Sequence, residues 1–392
     1  MSSMLRRFYS SGTLTRTPLY ESHVKYGAKF VPYAGFEMPI MYKDQSHIES
    51  HNWVRSKVGL FDVSHMLQHR FHGADAVKFL QKITPIDLSQ LQPFTSSLSV
   101  LLNNEGGIID DTIITKHGED KFYMVTNAGC REKDLAFIRD ELKNFDQVHH
   151  QTFEGTLLAV QGPAAGSLMQ KLTNEDLSKI TFGQTQFLKL NSLIDSDIHL
   201  SRTGYTGEDG FELSIPSNND KEAKQARQFF EALIDENPEL VRPIGLAARD
   251  SLRLEAGMCL YGNELSEEIT PVEASLSWLI PKTRRTADAG FNGSSKILKQ
   301  LTEKGLVTRR RIGVISKGPA PRTGAKIVDN EGKQVGYITS GSLSPTLGSN
   351  VAQSYIDKSV KIGSEVQIDI RGKLRPGKVT KLPFVPNNFY RG

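Results

Sequence analysis

Two neighbouring segments are the most informative part of the chain: residues 201–213 read SRTGYTGEDGFEL, and residues 245–262 read GLAARDSLRLEAGMCLYG. In the first segment and just beyond it, Phe211, Leu213 and Ile215 alternate with Glu212 and Ser214. Because successive side chains of a strand point to opposite faces, this period of two predicts a strand with Glu212 on the face opposite the apolar residues. We therefore expect Glu212 to look across a site or into solvent.

The second segment has the period of a helix, from about Leu246 to Ala256. Arg249 and Arg253 lie one turn apart on one face. Two cations at that spacing on an exposed helix repel by roughly 0.2–0.5 kcal/mol, so we expect each to have an anionic partner. Asp250 can serve Arg253 at i+3, which leaves Arg249 free. The alternative is that Arg249 and Glu212 pair with each other or face water.

A dense set of glycines precedes the predicted strand. Gly204, Gly207 and Gly210 recur at every third position, with Tyr205 between the first two. Glycines in this arrangement predict a backbone that turns tightly or lets a ligand approach closely. Their density favours a binding site near Glu212 over an unrelated surface charge.

The composition is that of an ordinary globular chain, long enough for about two or three domains of roughly 150 residues each. Of its 392 residues, 38% are hydrophobic and 23% are charged, and the net charge is +4. So small a charge does not predict nucleic-acid binding, and no apolar run approaches the roughly 20 residues of a membrane helix. The basic runs 282–285 and 309–311 fit a solvated face or an acidic protein partner.

The amino terminus has the composition of a mitochondrial transit peptide. Residues 1–20 contain three arginines, several serines and threonines, and no acidic residue; the first is Glu21. We predict a transit peptide over residues 1–16, with a cleavage site near Ser10; a disordered basic tail is the alternative. The two cysteines are far apart in the sequence, which indicates free thiols in a reducing compartment.

Elsewhere, periodicity predicts an α+β region followed by a β region. The turn sequence Asn-Asn-Glu-Gly-Gly at 103–107 separates two apolar runs and predicts a hairpin. After a polar linker at 283–293, short strands divided by turn residues predict a small antiparallel barrel. The predicted elements are strands at 98–102, 108–114, 121–125, 156–160 and 198–202, a helix at 132–142, and barrel strands at 313–315, 326–328, 335–339, 351–355 and 365–370.

A set of motifs spread over nearly the whole chain identifies a family resemblance. The motifs are TPLY at 17–20, AGFEMP at 34–39, FDVSHM at 61–66, NEGGIIDD at 104–111, VTNAG at 125–129, VQGP at 160–163, the two segments above, PVEA at 271–274, Gly341 with the Ser-Pro pair after it, and LPFV at 382–385. Together and in this order they are highly specific. The chain resembles the aminomethyltransferases, or T-proteins, of the glycine cleavage system, which are tetrahydrofolate-dependent enzymes of the mitochondrial matrix.

The resemblance implies a three-subdomain clover-leaf around a central folate channel, with a C-terminal antiparallel β-barrel as the third subdomain. It implies a folate-binding domain of two α+β subdomains at 17–285 and a barrel domain at 290–390. The implied reaction moves the carbon of an aminomethyl group from the dihydrolipoyl arm of the carrier H-protein to tetrahydrofolate. Ammonia and 5,10-methylenetetrahydrofolate form, in glycine catabolism. Tetrahydrofolate is thus a substrate, and we predict no metal, flavin, nucleic acid or membrane.

Asp111 matches the family's catalytic aspartate. A carboxylate near the reacting amines stabilises iminium-like charge and can take a proton, a contribution of about 10² to 10⁴-fold. Asp110 and Asp111 are adjacent on the predicted strand, so their side chains point to opposite faces and cannot form a dyad that shares a proton. We predict that Asp110 is a surface or turn-end residue.

The family match also makes Glu212 and Arg249 folate-site residues. One carboxylate can accept two parallel N–H donors of a pterin ring, and charge-assisted bonds of this kind contribute roughly 1.5–3 kcal/mol each. Arg249 can clamp a ligand or hold Glu212. Asn127 and Tyr205 are weaker candidates for ring contacts, and Tyr205 is in such a turn more often a packing residue.

The carboxyl end departs from the family pattern. The family has paired tyrosines there, one of which reaches the substrate, whereas this chain has Phe389-Tyr390. By direct alignment Phe389 takes the substrate-contacting place. Either the hydroxyl is dispensable or Tyr390 supplies it, and we include Tyr390 among the predicted site residues.

Other cofactor motifs are misleading or absent from the sequence. His47 and His51, like His65 and His69, have i, i+4 spacing, but neither pair forms His-Glu-x-x-His, so structural or exposed histidines are the better interpretation. There is no Gly-x-Gly-x-x-Gly after a strand and no Gly-x-x-x-x-Gly-Lys-Ser/Thr. Flavin, NAD and nucleoside triphosphates therefore lack their usual motifs.

Three alternatives remain open. A folate-binding iron–sulphur assembly factor, which is non-catalytic, needs a reactive cysteine in a Lys-Gly-Cys loop, whereas Cys259 follows Met258 and no Lys-Gly-Cys occurs. A folate-dependent demethylase joins this module to a flavin oxidase domain, for which 392 residues leave no room. A scaffold that has lost catalysis is disfavoured by the presence of Asp111, Glu212 and Arg249.

Overall fold

The computed structural model describes residues 13–191 and 194–392, so the predicted cleavage site and most of the predicted transit peptide lie outside the described residues. The α-helices in those ranges are α1 Tyr20–Lys25, α2 His47–Ser56, α3 Ala76–Ile83, α4 Arg131–Leu142, α5 Ala165–Gln170, α6 Asp220–Asp235, α7 Leu246–Glu255 and α8 Ser294–Thr302. The strands are β1 Ala28–Tyr33, β2 Phe36–Tyr42, β3 Val58–Asp62, β4 Leu67–His72, β5 Thr95–Leu102, β6 Ile108–Gly118, β7 Lys121–Thr126, β8 His149–Phe153, β9 Thr156–Gln161, β10 Thr185–Leu188, β11 Ile198–Ser201, β12 Gly210–Ile215, β13 Val241–Pro243, β14 Arg309–Ser316, β15 Lys326–Val328, β16 Gln334–Ser344, β17 Ser349–Asp357, β18 Glu365–Ile370 and β19 Lys373–Thr380. None of the helices in this part of the chain has both the length and the apolar character needed to cross a bilayer.

The first subdomain is built on a six-stranded sheet with the order β10-β11-β12-β9-β3-β13. Its strands are antiparallel to their neighbours except β13, which runs parallel to β3. Phe211 and Leu213 of β12 belong to the core of this sheet, together with Phe230 of α6. Glu212 lies between them in the sequence and outside that core, so the predicted alternation is confirmed.

The second subdomain is a five-stranded sheet with the order β5-β6-β7-β4-β8. The predicted hairpin is confirmed, since β5 and β6 pair antiparallel with Val100 opposite Asp111. Asn103 closes the turn, because its Oδ1 accepts hydrogen bonds from the backbone N–H groups of Glu105 and Gly107 at 3.0 and 2.8 Å. Helices α3 and α4 add apolar side chains to the core of this sheet. Asp111 therefore lies on a central strand, held by β5 on one side and β7 on the other.

The third subdomain is a closed barrel with the order β14-β17-β16-β15-β18-β19. It closes because β14 pairs antiparallel with both β17 and β19. The five predicted barrel strands are confirmed. The sixth strand, β19, escaped prediction because its sequence contains Pro376 and Gly377 and alternates only weakly, with Gly377 and Val379 as its buried residues. The predicted clover-leaf of three subdomains with a C-terminal barrel is confirmed.

The polar segment at 283–293, predicted as a linker, is exposed over residues 285–288 and packed at its carboxyl end. Phe291 is buried in one cluster with Leu102 of β5. Asn292 Nδ2 donates to the backbone oxygen of Leu102 at 3.1 Å and to Glu141 Oε1 at 2.8 Å. The end of the predicted linker is therefore packed, because a buried amide whose N–H groups both find acceptors is compatible with the core. The domain limits 17–285 and 290–390 stay a prediction.

The basic runs are largely used within the fold. Arg311 is buried and donates to the backbone oxygen of Ala274 at 2.8 Å and to Gln353 Oε1 at 2.5 Å. Arg309 pairs with Glu273 at 2.9 Å. These arginines join the barrel to the segment before it, so a purely solvated face does not describe them.

Helix α7 is joined to the barrel through Arg253. This buried guanidinium donates to Asp250 Oδ1, to Glu264 Oε2 and to Ser340 Oγ of β16, each at 2.9 Å. The predicted Arg253–Asp250 pair is confirmed. The donors of Arg253 are thus engaged mainly in contacts within the fold.

The end of α7 carries a second junction, around Glu255. Its carboxylate accepts hydrogen bonds from Arg55 Nη2 at 2.8 Å, Ser344 Oγ at 2.5 Å and Thr346 Oγ1 at 2.7 Å, and lies 3.1 Å from His51 Nε2. Burial favours a higher pKa for Glu255, but the hydrogen bonds and the charge of His51 outweigh it and lower the pKa to about 2. His51 is a structural histidine, as predicted.

Candidate active site

A large cavity opens between the three subdomains. Its volume is about 1720 Å³. Its wall includes Asp111 from the five-stranded sheet, Glu212 from the six-stranded sheet, Arg249 from α7 and Ile312 from the barrel. Small-molecule sites usually occupy roughly 300–1,000 Å³, so this cavity has room for an elongated ligand and for the end of a second reactant.

Asp111, the fourth residue of β6, lines the cavity. Its Oδ1 accepts a hydrogen bond from Asn127 Nδ2 at 2.9 Å. Burial raises the pKa of the Asp111 carboxyl, and the charge of Asp110 adds to the effect, so that the pKa reaches about 7. Such a group is present in both protonation states near neutral pH, which suits a residue that takes up and returns a proton.

Asp110 is fully buried behind Asp111, so the prediction of a surface or turn-end residue was wrong. Its Oδ2 accepts the backbone N–H of Asn127 at 2.8 Å, and its Oδ1 accepts Asn127 Nδ2 at 2.9 Å. A buried carboxylate is tolerated where hydrogen bonds replace its hydration. The sequence could not show this, because the two amide donors come from the end of a different strand, β7.

Asn127 is fixed between the two aspartates. Its Nδ2 atom donates to both carboxyls and lies 3.2 Å from the backbone oxygen of Asp111. Because carboxylate oxygens only accept, the amide must turn its nitrogen towards them and leaves its own oxygen for another donor. Asn127 lines the cavity, so this oxygen is available to a ligand.

Two further groups lie behind Asp110. The ligand-type atoms of Asp110, Cys130 and Asp134 all lie within 4.8 Å of one another, and all three residues are buried. Burial and the two carboxyls raise the pKa of the Cys130 thiol, whereas a metal would need the thiolate. The group has the atom types of a metal site but not the charge state, and the absence of a metal stays a prediction.

Glu212 faces the cavity from the middle of the six-stranded sheet. It lies opposite Ala159 of β9 and Ser201 of β11. Its Oε2 accepts a hydrogen bond from Thr203 Oγ1 at 2.7 Å. Burial raises the pKa of Glu212, while the Thr203 bond and the charge of Arg249 act in the opposite direction. The carboxyl is thus desolvated and aimed at the cavity, as a group that binds ligand N–H donors must be.

Arg249 lines the cavity with its charge unpaired. Within residues 13–191 and 194–392 it forms no salt bridge and donates no side-chain hydrogen bond, so the alternative of a direct pair with Glu212 is not met. Its guanidinium carbon lies 4.5 Å from the centre of the Tyr205 ring. The Tyr205 hydroxyl donates to the backbone oxygen of Cys259. The Tyr205 ring therefore packs against the Arg249 guanidinium, and Tyr205 also lines the cavity.

The structure does not bring Tyr390 into this group. Its hydroxyl donates to the backbone oxygen of Ser178 at 3.2 Å, and the Arg202 guanidinium lies 3.8 Å from the centre of its ring. Phe389 lines the cavity instead and stacks on Phe182 with ring centres 4.1 Å apart. A substrate contact by the Tyr390 hydroxyl stays a prediction that the side-chain direction does not favour.

His65 lines the cavity, although the sequence pattern indicated only a structural or exposed histidine. Its Nδ1 atom is buried and finds no hydrogen-bond partner among the described residues. Burial lowers the pKa of His65 to about 4, and the charge of Arg249 contributes, so the ring is neutral near neutral pH. The available signal was position, since His65 closely follows the fully buried strand β3.

Two family models match this chain. Residues 19–284 match the GCVT N-terminal domain, and residues 309–386 match the Glycine cleavage T-protein C-terminal barrel domain. Both matches fall on the three subdomains that surround the cavity. The first alone covers more than half of the chain.

Similar proteins are known from several organisms. The chain is 47% identical to the mitochondrial aminomethyltransferase of Saccharomyces cerevisiae, over 99% of this chain and 98% of that protein. It is 47% identical to the one of Pisum sativum, over 98% and 93%. The crystal structure of the glycine cleavage system aminomethyltransferase T from Bartonella henselae is 36% identical, with a TM-score of 0.87 over 97% of this chain and 100% of that one. The chain therefore belongs to the glycine cleavage T-protein family of aminomethyltransferases.

Proposed function

We propose that this chain transfers the methylene carbon of an aminomethyl group from the dihydrolipoyl arm of a lipoylated H-protein to tetrahydrofolate. The products are 5,10-methylenetetrahydrofolate, ammonia and the dihydrolipoyl H-protein, in glycine catabolism. The observation that carries this proposal is the meeting of Asp111, Glu212 and Arg249 at one cavity, although they come from different strands and a helix.

The reaction breaks two bonds at the transferred carbon and forms two. The carbon leaves the sulphur of the lipoyl arm and its own amino nitrogen, and becomes bonded to two nitrogens of the folate. Those two nitrogens each lose a proton, one of which appears on the thiol and the other on the departing ammonia. The catalyst must therefore stabilise positive charge at the carbon and move protons between nitrogens and sulphur.

Asp111 is suited to both tasks. Its carboxylate stabilises an iminium-like centre by charge and accepts a proton from a folate nitrogen. With a pKa of about 7 it can also release that proton to a departing group within the same cycle. The Asn127 amide holds the carboxylate in place through one oxygen, which leaves the other for substrate.

Glu212 and Arg249 are suited to hold the folate. A desolvated carboxylate that accepts one bond from Thr203 can still accept two parallel N–H donors of a pterin ring. Arg249, unpaired and above the Tyr205 ring, supplies a cation for an electron-rich or anionic part of the ligand. Tyr205, Asn127 and His65 complete the wall.

The names of the relatives and the amino-terminal sequence indicate the compartment. Relatives that match nearly the whole chain are named mitochondrial aminomethyltransferases, and we place this protein in the mitochondrial matrix, where the amino-terminal arginines would direct it. The transfer needs no flavin, because the carbon keeps its oxidation level throughout, and we propose no metal for it. The non-catalytic assembly-factor alternative needs a reactive thiol, whereas burial raises the pKa of Cys259 to about 12.

The test is to mix the full chain with aminomethyl-loaded H-protein, with and without tetrahydrofolate, and to measure ammonia and 5,10-methylenetetrahydrofolate together. Both products should appear in equal amounts only when folate is present. The matched control is Asp111→Asn, which keeps the shape of the side chain and removes its charge. Tight folate binding without turnover in the unmodified chain would contradict the proposal and favour the assembly-factor alternative.

A further inference from the structure

Asp134 is a buried polar group that the reaction leaves unexplained. It lies in the first turns of α4 and is fully buried. Neither of its carboxyl oxygens has a hydrogen-bond partner among the described residues when it is treated as an acceptor. An ionised carboxylate in that position would lose its hydration without N–H hydrogen bonds or an ion pair to replace it. Its protonation state therefore needs a physical account.

No cation neutralises the carboxyl groups of Asp110 and Asp134. In the part of the chain that the structure describes, no lysine, arginine or histidine nitrogen lies within 4.0 Å of either carboxyl. The nearest charges along the helix are engaged elsewhere. Lys133 pairs with Glu267 at 3.2 Å, and Arg131 pairs with Glu154 at 3.1 Å. Two carboxyls this close, buried and without a cation, cannot both be ionised at modest cost.

The hydrogen-bond donors decide which carboxyl keeps the charge. Asp110 accepts two N–H groups of Asn127 at 2.8 and 2.9 Å, and these bonds favour its ionised form. Asp134 accepts no hydrogen bond from an N–H group. The proton is therefore on Asp134, which can donate it to Asp110. Burial and the charge of Asp110 raise the pKa of Asp134 by more than the Lys133 charge and the Thr126 hydroxyl lower it, which agrees with a proton on Asp134.

We propose that Asp134 is a neutral carboxylic acid that donates a hydrogen bond to Asp110 and thereby positions Asp111 through Asn127. The carboxyl groups of Asp134 and Asp110 have oxygens within 4.8 Å of each other, Asp110 accepts a hydrogen bond from the Asn127 amide, and the same amide donates to Asp111. Asp134 is a positioning residue, since it does not line the cavity. This inference rests on the proposed catalytic role of Asp111.

The shared proton has an electrostatic consequence for the site. With Asp134 neutral, one negative charge rather than two lies behind Asp111. The charge of Asp110 already raises the pKa of Asp111, and a second one would raise it further and leave less of the carboxylate ionised near neutral pH. Neutral Asp134 therefore holds the Asn127 amide in place without lowering the fraction of Asp111 that is ionised.

The first test compares Asp134→Asn with Asp134→Leu. Asparagine has the shape of the neutral acid and keeps an N–H donor towards Asp110, so kcat/KM and its pH profile should stay within about threefold of the unmodified chain. Leucine keeps the volume but removes the donor, so kcat should fall by roughly tenfold or more through misplacement of Asn127, with KM for folate little changed. Rescue by asparagine and not by leucine is specific to a neutral donor; equal loss in both would overturn the proposal.

The second test is independent of activity and follows the Tm of Asp134→Asn and of the unmodified chain from about pH 5 to about pH 8. A carboxyl whose pKa is raised in the folded state loses its stabilising contribution as pH rises above the ordinary carboxyl pKa, because the unfolded chain releases the proton first. Asparagine has no such loss, so the Tm difference should move in favour of the variant as pH rises. If the Tm of the variant instead fell further below that of the unmodified chain as pH rises, Asp134 would be ionised and the proposal would be overturned.

A third measurement covers a variant that fails to fold. Infrared spectroscopy is carried out on an Asp111→Asn/Glu212→Gln background, which removes the two cavity-lining carboxyl groups whose pKa values are raised. The spectrum should still show a carboxylic acid C=O band at neutral pH. The competing outcome is a metal held by Asp110, Cys130 and Asp134. Stoichiometric metal in the purified chain, with no acid band, would overturn the proposal.

Failure of folate-dependent turnover in the unmodified chain would instead contradict the proposed function. The results of the Tm measurement and of the infrared measurement would still hold, because neither depends on turnover.

Discussion

The cavity wall and the junction between α7 and the barrel use the same residue types in opposite ways. Arg253, at the junction, is buried and bonded to Asp250, Glu264 and Ser340. Arg249, one turn earlier on the same helix, lies at the cavity over an aromatic ring and has no salt bridge in the described part of the chain. A saturated charge holds structure, whereas an unsaturated charge is available to a ligand.

The glutamates repeat this contrast. Glu255 at the junction accepts bonds from Arg55, Ser344 and Thr346, and its pKa is lowered to about 2. Glu212 at the cavity accepts one bond, from Thr203, and its pKa is raised. Desolvation without compensation is destabilising, so groups left in that state mark a functional surface.

The largest expected effect is on turnover. Asp111→Asn should lower kcat by about 10² to 10⁴-fold, because it removes the base and its charge, while tetrahydrofolate affinity changes little. Steady-state ammonia release and equilibrium folate binding measure the two quantities. Because the pKa of Asp111 is raised, its carboxylate opposes stability above the ordinary carboxyl pKa, so the variant should be no less stable at neutral pH. Full activity in Asp111→Asn would refute the assigned role.

The next effect separates the two arginines. Arg253→Met should lower the free energy of unfolding by about 3–5 kcal/mol, because it leaves Glu264 buried without its partner. Arg249→Met is the matched control on the same helix face, and should leave stability nearly unchanged while weakening folate binding. Denaturant unfolding with folate titration gives both values. Equal destabilisation in the two variants would remove the distinction between junction and cavity.

A smaller effect is expected at Glu212. Glu212→Gln should raise the Kd for tetrahydrofolate by roughly 10- to 150-fold, corresponding to about 1.5–3 kcal/mol for a lost charge-assisted bond, with little change in kcat at saturating folate. Calorimetry measures the affinity. Glu236→Gln, at an exposed glutamate, serves as the control. An unchanged Kd would place the pterin ring elsewhere in the cavity.

The last effect is a shift in the pH profile. Asp111 acts as a carboxylate, so kcat/KM should rise with pH through a pKa of about 7 and fall about tenfold per unit below it. Removing the charge of Asp110 by Asp110→Asn should move this limb to lower pH, because that charge contributes to the raised pKa of Asp111. Rate measurements between about pH 5 and about pH 9 test both statements. A limb at the ordinary carboxyl pKa would contradict the coupling of the two aspartates.

Much of the fold was predictable from local patterns. The β5–β6 hairpin followed from a turn sequence between apolar runs, β12 from alternation, and α7 from its period, with the left-handed Gly257 just beyond its end. The strand β19 was missed because proline and glycine weaken its pattern, and it exists because β14 and β18 offer it two edges. Pairing between distant segments overrides such weak local signals.

The candidate site was predictable to a similar degree. Asp111, Glu212, Arg249, Asn127 and Tyr205 all line the cavity, while their roles there stay predictions. The burial of Asp110, the direction of the Tyr390 side chain and the neutral His65 were not predictable, since each depends on which distant element packs against the residue.

The sequence by itself determined the family, the alternation that turns Glu212 away from the core, and the one-turn spacing of Arg249 and Arg253, because these depend on order and on local period. Only the tertiary structure decided which of those charges are satisfied and which are free. Burial, hydrogen-bond partners and pKa values belong to the contacts of a residue, and those contacts come from segments far away in the chain.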